Sequence, residues 1–284
     1  MNNTLLVLTD FSDNAWSGLR YSAFLAEQFQ WKLHILHTYT LSANLTFQDH
    51  FGEDVAEVLR KEREAKMKTL AANLADLHPE SSVTTACMLG EVADTVLNLL
   101  EENSYAFVVM GTAGAGGLKK RTLGSTTLNL IKCCPIGIIA VPEHYKQPKL
   151  EKVGLLTNFK NNERTLLQSL TDRVPTTLDL LLMHVTEKDI TAAPETITSL
   201  TEAFADKIQF NSVKYIEKNA VYRLDYYMPI PRAIDWMIEK EGVDLLIVCY
   251  NRKSFFTRFL SRNLPKFISN NLLIPTYFRS ESFL

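Results

Sequence analysis

Apolar residues along the chain follow two alternating rhythms. Short runs rich in aliphatic residues, Thr4 to Thr9 and Lys32 to Tyr39, flank a longer stretch, Ser17 to Phe29, whose apolar positions recur at helical spacing. A brief apolar run between turn residues reads as a buried strand, and a longer stretch of period 3.6 reads as a helix. The alternation continues with a charged amphipathic helix over Glu53 to Leu77, a strand over Ser82 to Met88 and a helix over Glu91 to Asn103. Tyr105 to Met110 then predicts a fourth strand, Ser125 to Lys132 a helix, and Ile136 to Val141 a fifth strand. Strands alternating with helices imply βαβ units and a parallel sheet.

After this the pattern begins again. Pro142 to Lys149 is polar and carries two prolines, as an exposed linker does. Leu8-Thr9-Asp10-Phe11 is echoed by Leu156-Thr157-Asn158-Phe159, and Leu33-His34-Ile35-Leu36-His37 by Leu180-Leu181-Leu182-Met183-His184. Glu91 to Asn103 is matched by Pro231 to Glu241, and the strand Ala106 to Met110 by Leu245 to Cys249. Order and spacing survive, which marks an internal repeat. The expected architecture is α/β: two tandem doubly wound parallel five-stranded sheets, Rossmann-like, with domains over 1–147 and 148–284. A length of 284 residues suits two domains of ordinary size.

Composition narrows the partners. With 30 Lys and Arg against 32 Asp and Glu, the net charge of −2 provides no broad positive field. Nucleic acid and anionic membrane are therefore not expected as partners. The apolar run Leu5 to Leu8 stops at Thr9-Asp10, too short for a leader or membrane segment, so a cytoplasmic location is expected. Cys87, Cys133, Cys134 and Cys249 show no CxxC spacing and read as reduced thiols rather than a zinc site.

The chemistry concentrates after the fourth strand. Met110-Gly111-Thr112-Ala113-Gly114 leads, ten residues beyond Gly114, to Gly124-Ser125-Thr126-Thr127 at the start of a predicted helix. Glycines let main-chain N–H groups turn toward a ligand, and a helix start presents free N–H groups and the positive dipole end to an anion. Ser125 stands where an N-cap is expected. A plain tight turn is the bland alternative. Lys119, Lys120 and Arg121 lie between the glycines, either as phosphate partners or as a solvated face.

The spacing G-x2-G-x9-G-S, with Leu-Thr-Asp-Phe-Ser at the end of the first strand, resembles the universal stress protein family. That resemblance covers the first 142 residues well and the remainder as a diverged copy. It implies an adenine-nucleotide site, for ATP or a relative with or without Mg, held by Leu8, Thr9, Asp10, Thr38, Met110, Gly111, Gly114, Gly124, Ser125 and Thr126. Asp10 would accept from ribose hydroxyls or the adenine amine, the Thr38 main chain would touch the base, and the glycines and Ser125 would hold phosphates. Leu8 departs from the small residue or proline usual there. His37 and His184 read as packing residues, since neither has a recognisable catalytic partner in the sequence.

The second copy reads Val248-Cys249-Tyr250-Asn251-Arg252-Lys253-Ser254 in the corresponding segment, with Tyr250 and Lys253 in place of Gly111 and Gly114 and Asn158 in place of Asp10. An empty or plugged second pocket is expected, since Cβ atoms would obstruct the backbone approach. Phe255, Phe256 and Phe259 with Arg258 and Arg262 read as core packing or as a partner surface. No GxxxxGK[ST], GxGxxG, GxSxG or HExxH pattern is present. The expectation is a non-enzymatic stress-response regulator that binds nucleotide in its first domain. A slow ATP hydrolase and a nucleotide-free interaction module are the alternatives, with the two copies paired as an intramolecular pseudo-dimer, or the chain forming a homodimer.

Overall fold

The computed structural model describes residues 3–40, 55–80, 82–112, 123–159, 162–186, 195, 209–222, 227–250 and 272–284. The chain divides near Glu143 into two compact units.

In the first unit, β1 (Thr4–Leu8), α1 (Asp13–Phe29), β2 (Lys32–Tyr39), α2 (Val55–Leu77), β3 (Ser82–Leu89), α3 (Val92–Glu102), β4 (Val108–Gly111), α4 (Ser125–Cys133) and β5 (Ile138–Val141) follow in order. Their strands lie as β3-β2-β1-β4-β5, with every pairing parallel. Leu5, Leu6 and Val7 are fully buried, as in a sheet covered on both faces. Register runs Leu8 to Leu36 on one side of β1 and Val7 to Val109 on the other. The strand order reverses between β1 and β4, the switch point where open parallel sheets gather ligands at their carboxyl ends.

Local chemistry sets the helix limits. α1 starts four residues before the expected Ser17, because Ser12 caps it: its side-chain oxygen accepts from the Ala15 N–H at 3.2 Å. α2 turns Met67, Leu70 and Leu74 inward at helical spacing. The fourth and fifth strands begin later than expected, at Val108 and Ile138. Tyr105, Ala106 and Phe107 are buried ahead of β4, which explains why an apolar pattern extends the strand beyond its ladder.

The second unit repeats the order with β6 (Lys152–Leu156), α5 (Glu163–Thr171), β7 (Leu178–Thr186), β8 (Phe210–Asn219), β9 (Val221–Tyr222), β10 (Tyr227–Met228), α6 (Ile230–Glu241), β11 (Leu245–Tyr250) and β12 (Thr276–Ser280). Its main sheet runs β12-β11-β6-β7-β8 and is parallel, while β9 and β10 form a small antiparallel pair. Once sequence order is translated, this is the strand order of the first unit. α6 ends at Gly242, whose φ of +66° forms the left-handed cap that glycine favours.

The repeat holds at single atoms. Phe11 N–H donates to the Thr9 hydroxyl oxygen at 3.1 Å, and Phe159 N–H to that of Thr157 at 3.1 Å. Phe11 and Phe159 both take positive φ, 66° and 63°. His37 Nδ1 meets the Thr9 carbonyl at 2.8 Å, and His184 Nδ1 the Thr157 carbonyl at 2.9 Å.

Candidate functional site

At the carboxyl end of β1 the chain turns sharply into α1. Thr9 N–H still donates to the Leu36 carbonyl, continuing the ladder one step beyond the strand. Asp10 then closes an Asx turn: its Oδ1 accepts from the Ser12 N–H at 3.0 Å and the Ser12 hydroxyl at 2.5 Å. Between them Phe11 is held in the left-handed region and packs on the His37 ring, centroids 4.3 Å apart. The Asp10 carboxylate is thus fixed in place yet solvent-exposed. Because a carbonyl can only accept, His37 Nδ1 carries the proton and the neutral ring leaves Nε2 as an acceptor. That Nε2 is buried without a partner among the described residues. Burial lowers the His37 pKa, opposed by its bond to Thr9 and by Asp10 and reinforced by Arg63 and Lys66.

The end of β4 meets α1 at close range. A β-carbon on Gly18 would stand 3.1 Å from the Met110 carbonyl carbon, and one on Gly111 would collide with Asn14, 2.6 Å from its carbonyl oxygen. Glycine at both positions lets α1 lie against the strand end. The Asn14 side chain also donates to the Thr112 hydroxyl at 3.4 Å. Gly124 N–H donates to the Thr112 carbonyl at 2.7 Å, and the Thr127 hydroxyl reaches the Gly111 carbonyl at 3.4 Å. These bonds pin the start of α4 to the end of β4.

The N-cap of α4 is Gly124, not Ser125; Ser125 is the first helical residue. The difference matters. A serine cap would turn its hydroxyl back onto the helix N–H groups, whereas Gly124 makes no side-chain bond and leaves the first turn open. Ser125 and Thr126 are exposed there.

Leu8, Thr9 and Asp10 therefore end β1, Met110 and Gly111 end the adjacent β4, and Gly124, Ser125 and Thr126 open the helix tied to β4. Thr38 lies near the end of β2, in register with Met88 of β3 and one strand from β1. Gly114, Lys119, Lys120 and Arg121 lie outside the described residues. Among the described residues no group of three or more His, Cys, Asp or Glu side chains gathers to hold a metal, and no helix is long and apolar enough to cross a membrane.

Sequence reasoning missed several residues that build this site. Ser12 could have been found as an N-cap three residues before Ala15, and Gly18 as a glycine inside a helical pattern. Asn14 carried no signal, because its role depends on β4 being adjacent. A groove of about 460 Å³ also opens between α1 and α2, lined by Phe11, Trp16, Lys66 and Leu70 among others. It shares only Thr9 with the residues predicted from sequence.

In the second unit the same place is built differently. Glu163, 2% exposed, accepts from the Thr157 hydroxyl at 2.5 Å and the Asn158 N–H at 2.7 Å. Asn162, the repeat partner of Asn14, donates to Glu281 at 2.8 Å and approaches Cys249 Sγ at 3.6 Å. Leu166 stands where Gly18 does, and Tyr250 ends β11 where Gly111 ends β4. Lys253 and the aromatic and basic cluster from Phe255 to Arg262 lie outside the described residues.

Comparison with known proteins places these observations. The profile of the universal stress protein family matches residues 1–142. Universal stress protein YxiE of Bacillus subtilis is 28% identical over 149 residues, covering 49% of this chain and 99% of its own. Universal stress protein MJ0531 of Methanocaldococcus jannaschii is 22% identical over 142 residues, covering 49% of this chain and 82% of its own. The crystal structure of a universal stress protein from Archaeoglobus fulgidus superposes with a TM-score of 0.71 over 99% of both chains, at 16% identity. That likeness is one of fold, and it extends across both units. With the family profile spanning half the chain and a whole-chain structural counterpart from the same family, this chain belongs to the universal stress protein family.

Proposed function

We propose that the chain binds ATP or a related adenine nucleotide in its first unit and acts as a stress-response regulator rather than as an enzyme. The supporting observation is a convergence at the β1–β4 switch point. A fixed, exposed Asp10 carboxylate follows β1, and the start of α4, which has no side-chain cap, is tied to the end of the adjacent β4, with Gly111 packed so closely on Asn14 that no side chain fits. A carboxylate accepts from ribose hydroxyls, and an open helix start with its dipole accepts phosphate. On this reading Leu8, Thr9 and Asp10 would take the nucleoside side, Thr38 the base, Met110 and Gly111 the ribose, and Gly124, Ser125 and Thr126 the phosphates, with Gly114 joining them on its sequence spacing alone. Mg would enter with the phosphates.

The second unit is read as a degenerate copy that does not take nucleotide. Its strand-end turn is occupied by Glu163, and it has no glycine from Asn251 to Asn271. Location in the cytoplasm is proposed on the same footing as the function.

The test is thermal unfolding of the full chain with ATP, ADP and AMP, alongside Asp10→Ala. A ligand that binds only the folded state raises the melting temperature. The reading fails if no adenine nucleotide shifts the wild-type transition. Phosphate release above a protein-free control, lost in Asp10→Ala, would instead support hydrolysis.

A further inference from the structure

We propose that Ser12 is a positioning residue for the Asp10 carboxylate and thereby sets how strongly the site reads ribose hydroxyls; this rests on the nucleotide reading above. Ser12 joins three groups. Its oxygen accepts from the Ala15 N–H at 3.2 Å, its hydroxyl donates to Asp10 Oδ1 at 2.5 Å, and its own N–H donates to the same oxygen at 3.0 Å. The directions are forced, because an amide N–H can only donate and an ionised carboxylate can only accept. The bonds therefore run in one sense, from the amino end of α1 through the hydroxyl to the carboxylate, and each polarises the next.

Two donors on a single carboxylate oxygen fix its torsions. The other oxygen then has one direction relative to the end of β1, and a ribose diol meets an acceptor already in place. An acidic residue near a strand end that reads ribose hydroxyls is a recurrent solution in nucleotide-binding sheets. Losing the Ser12 hydroxyl removes one of the two donors on Asp10 Oδ1 and leaves the main-chain N–H of residue 12, so the carboxylate is less firmly set before the ligand arrives, at a cost in binding.

The second unit lacks the pair as a pair. Asn158 stands at the place of Asp10 and Lys160 at the place of Ser12, so carboxylate and hydroxyl are absent together. Its helix α5 has no side-chain cap and runs 9 residues against 17 in α1. The turn around Thr157 and Phe159 nonetheless keeps its geometry. There Glu163 accepts from the Thr157 hydroxyl and the Asn158 N–H, so the serine hydroxyl is present in the unit that carries the Asp10 carboxylate and absent from the one that does not.

The experiment titrates the full chain with ATP and with 2′,3′-dideoxy-ATP, for wild type, Ser12→Ala, Ser12→Thr and Asp10→Asn. Ser12→Ala should weaken ATP about tenfold, as expected for loss of a charge-assisted bond, and dideoxy-ATP by less than about twofold. Ser12→Thr, which keeps the hydroxyl, should restore the wild-type ratio. If Ser12→Ala weakens both ligands equally, or neither, the residue is only a helix cap and the inference is overturned. Asp10→Asn separates the two levels. If it leaves the ratio unchanged, the ribose role of Asp10 fails and this inference with it; if it shifts the ratio while Ser12→Ala does not, this inference alone is rejected. Should Ser12→Ala not fold, Ser12→Gly, which helix starts tolerate, carries the same expectation.

Discussion

Asn14 and Gly111 lie so close that a β-carbon on the glycine would stand 2.6 Å from the Asn14 carbonyl oxygen and 2.8 Å from its carbonyl carbon. Backbone cannot swing aside as a side-chain tip can. Gly111→Ala must therefore push α1 off the end of β4, and overpacking of this kind costs about 1–3 kcal/mol. The same shift separates Asp10, at the head of α1, from the start of α4. The variant should melt several degrees lower and bind nucleotide more weakly; calorimetry with and without ATP reads both. Gly18→Ala, where the nearest contact is 3.1 Å, should show a smaller loss in the same direction.

Glu163 carries a different kind of cost. Its buried carboxylate satisfies the Thr157 hydroxyl and the Asn158 N–H. Glu163→Ala leaves both donors without that acceptor and opens a void, with an expected loss of about 3 kcal/mol. Denaturant unfolding should show the destabilisation while the affinity of the first unit for nucleotide stays unchanged. Loss of nucleotide binding in this variant would place ligand chemistry in the wrong unit.

Acidification should destabilise the first unit. Burial lowers the pKa of both His34 and His37 from 6.5, so the unfolded chain takes up protons more readily than the folded one. Stability from these groups is present above about pH 6.5 and is lost as pH falls toward their folded values. Melting temperature should hold between pH 8 and 7 and drop from pH 6.5 downward. His37→Asn, which retains a side-chain donor for the Thr9 carbonyl, should flatten part of that slope. A melting temperature that rises on acidification in this window would contradict the assignment.

Much of this architecture was legible because each strand is a short apolar run and each helix a longer periodic one. The repeat was legible because Leu-Thr-Asp-Phe and Leu-Thr-Asn-Phe keep their distance to the following His to within one residue. Helix starts were less so: Ser12 begins α1 ahead of the apolar stripe, and Gly124 replaces Ser125 as the cap of α4. Capping depends on φ and ψ at one residue, and both Gly124 and Ser125 are acceptable there by type. The Asn14–Gly111 contact and the Glu163 bonds were illegible, because they join side chains to strand ends that only the folded sheet brings near. Sequence could show that the second copy had lost its glycines, not that a carboxylate is bonded into the turn after β6.

If the first unit alone takes nucleotide, as proposed, one nucleotide per chain is the expected stoichiometry. Restoring the acid alone should not create a second site. Asn158→Asp would place a carboxylate beside Glu163, already bonded to the Asn158 N–H at 2.7 Å, and like charges at that range disfavour one another. It would also leave Tyr250 at the strand end, where Gly111 gives the first unit its close approach. Native mass spectrometry of Asn158→Asp with excess ATP should still show a single bound nucleotide, and the variant should be less stable at neutral pH than wild type. Two bound nucleotides in the wild type would mean that the second unit binds through groups other than those that distinguish the first.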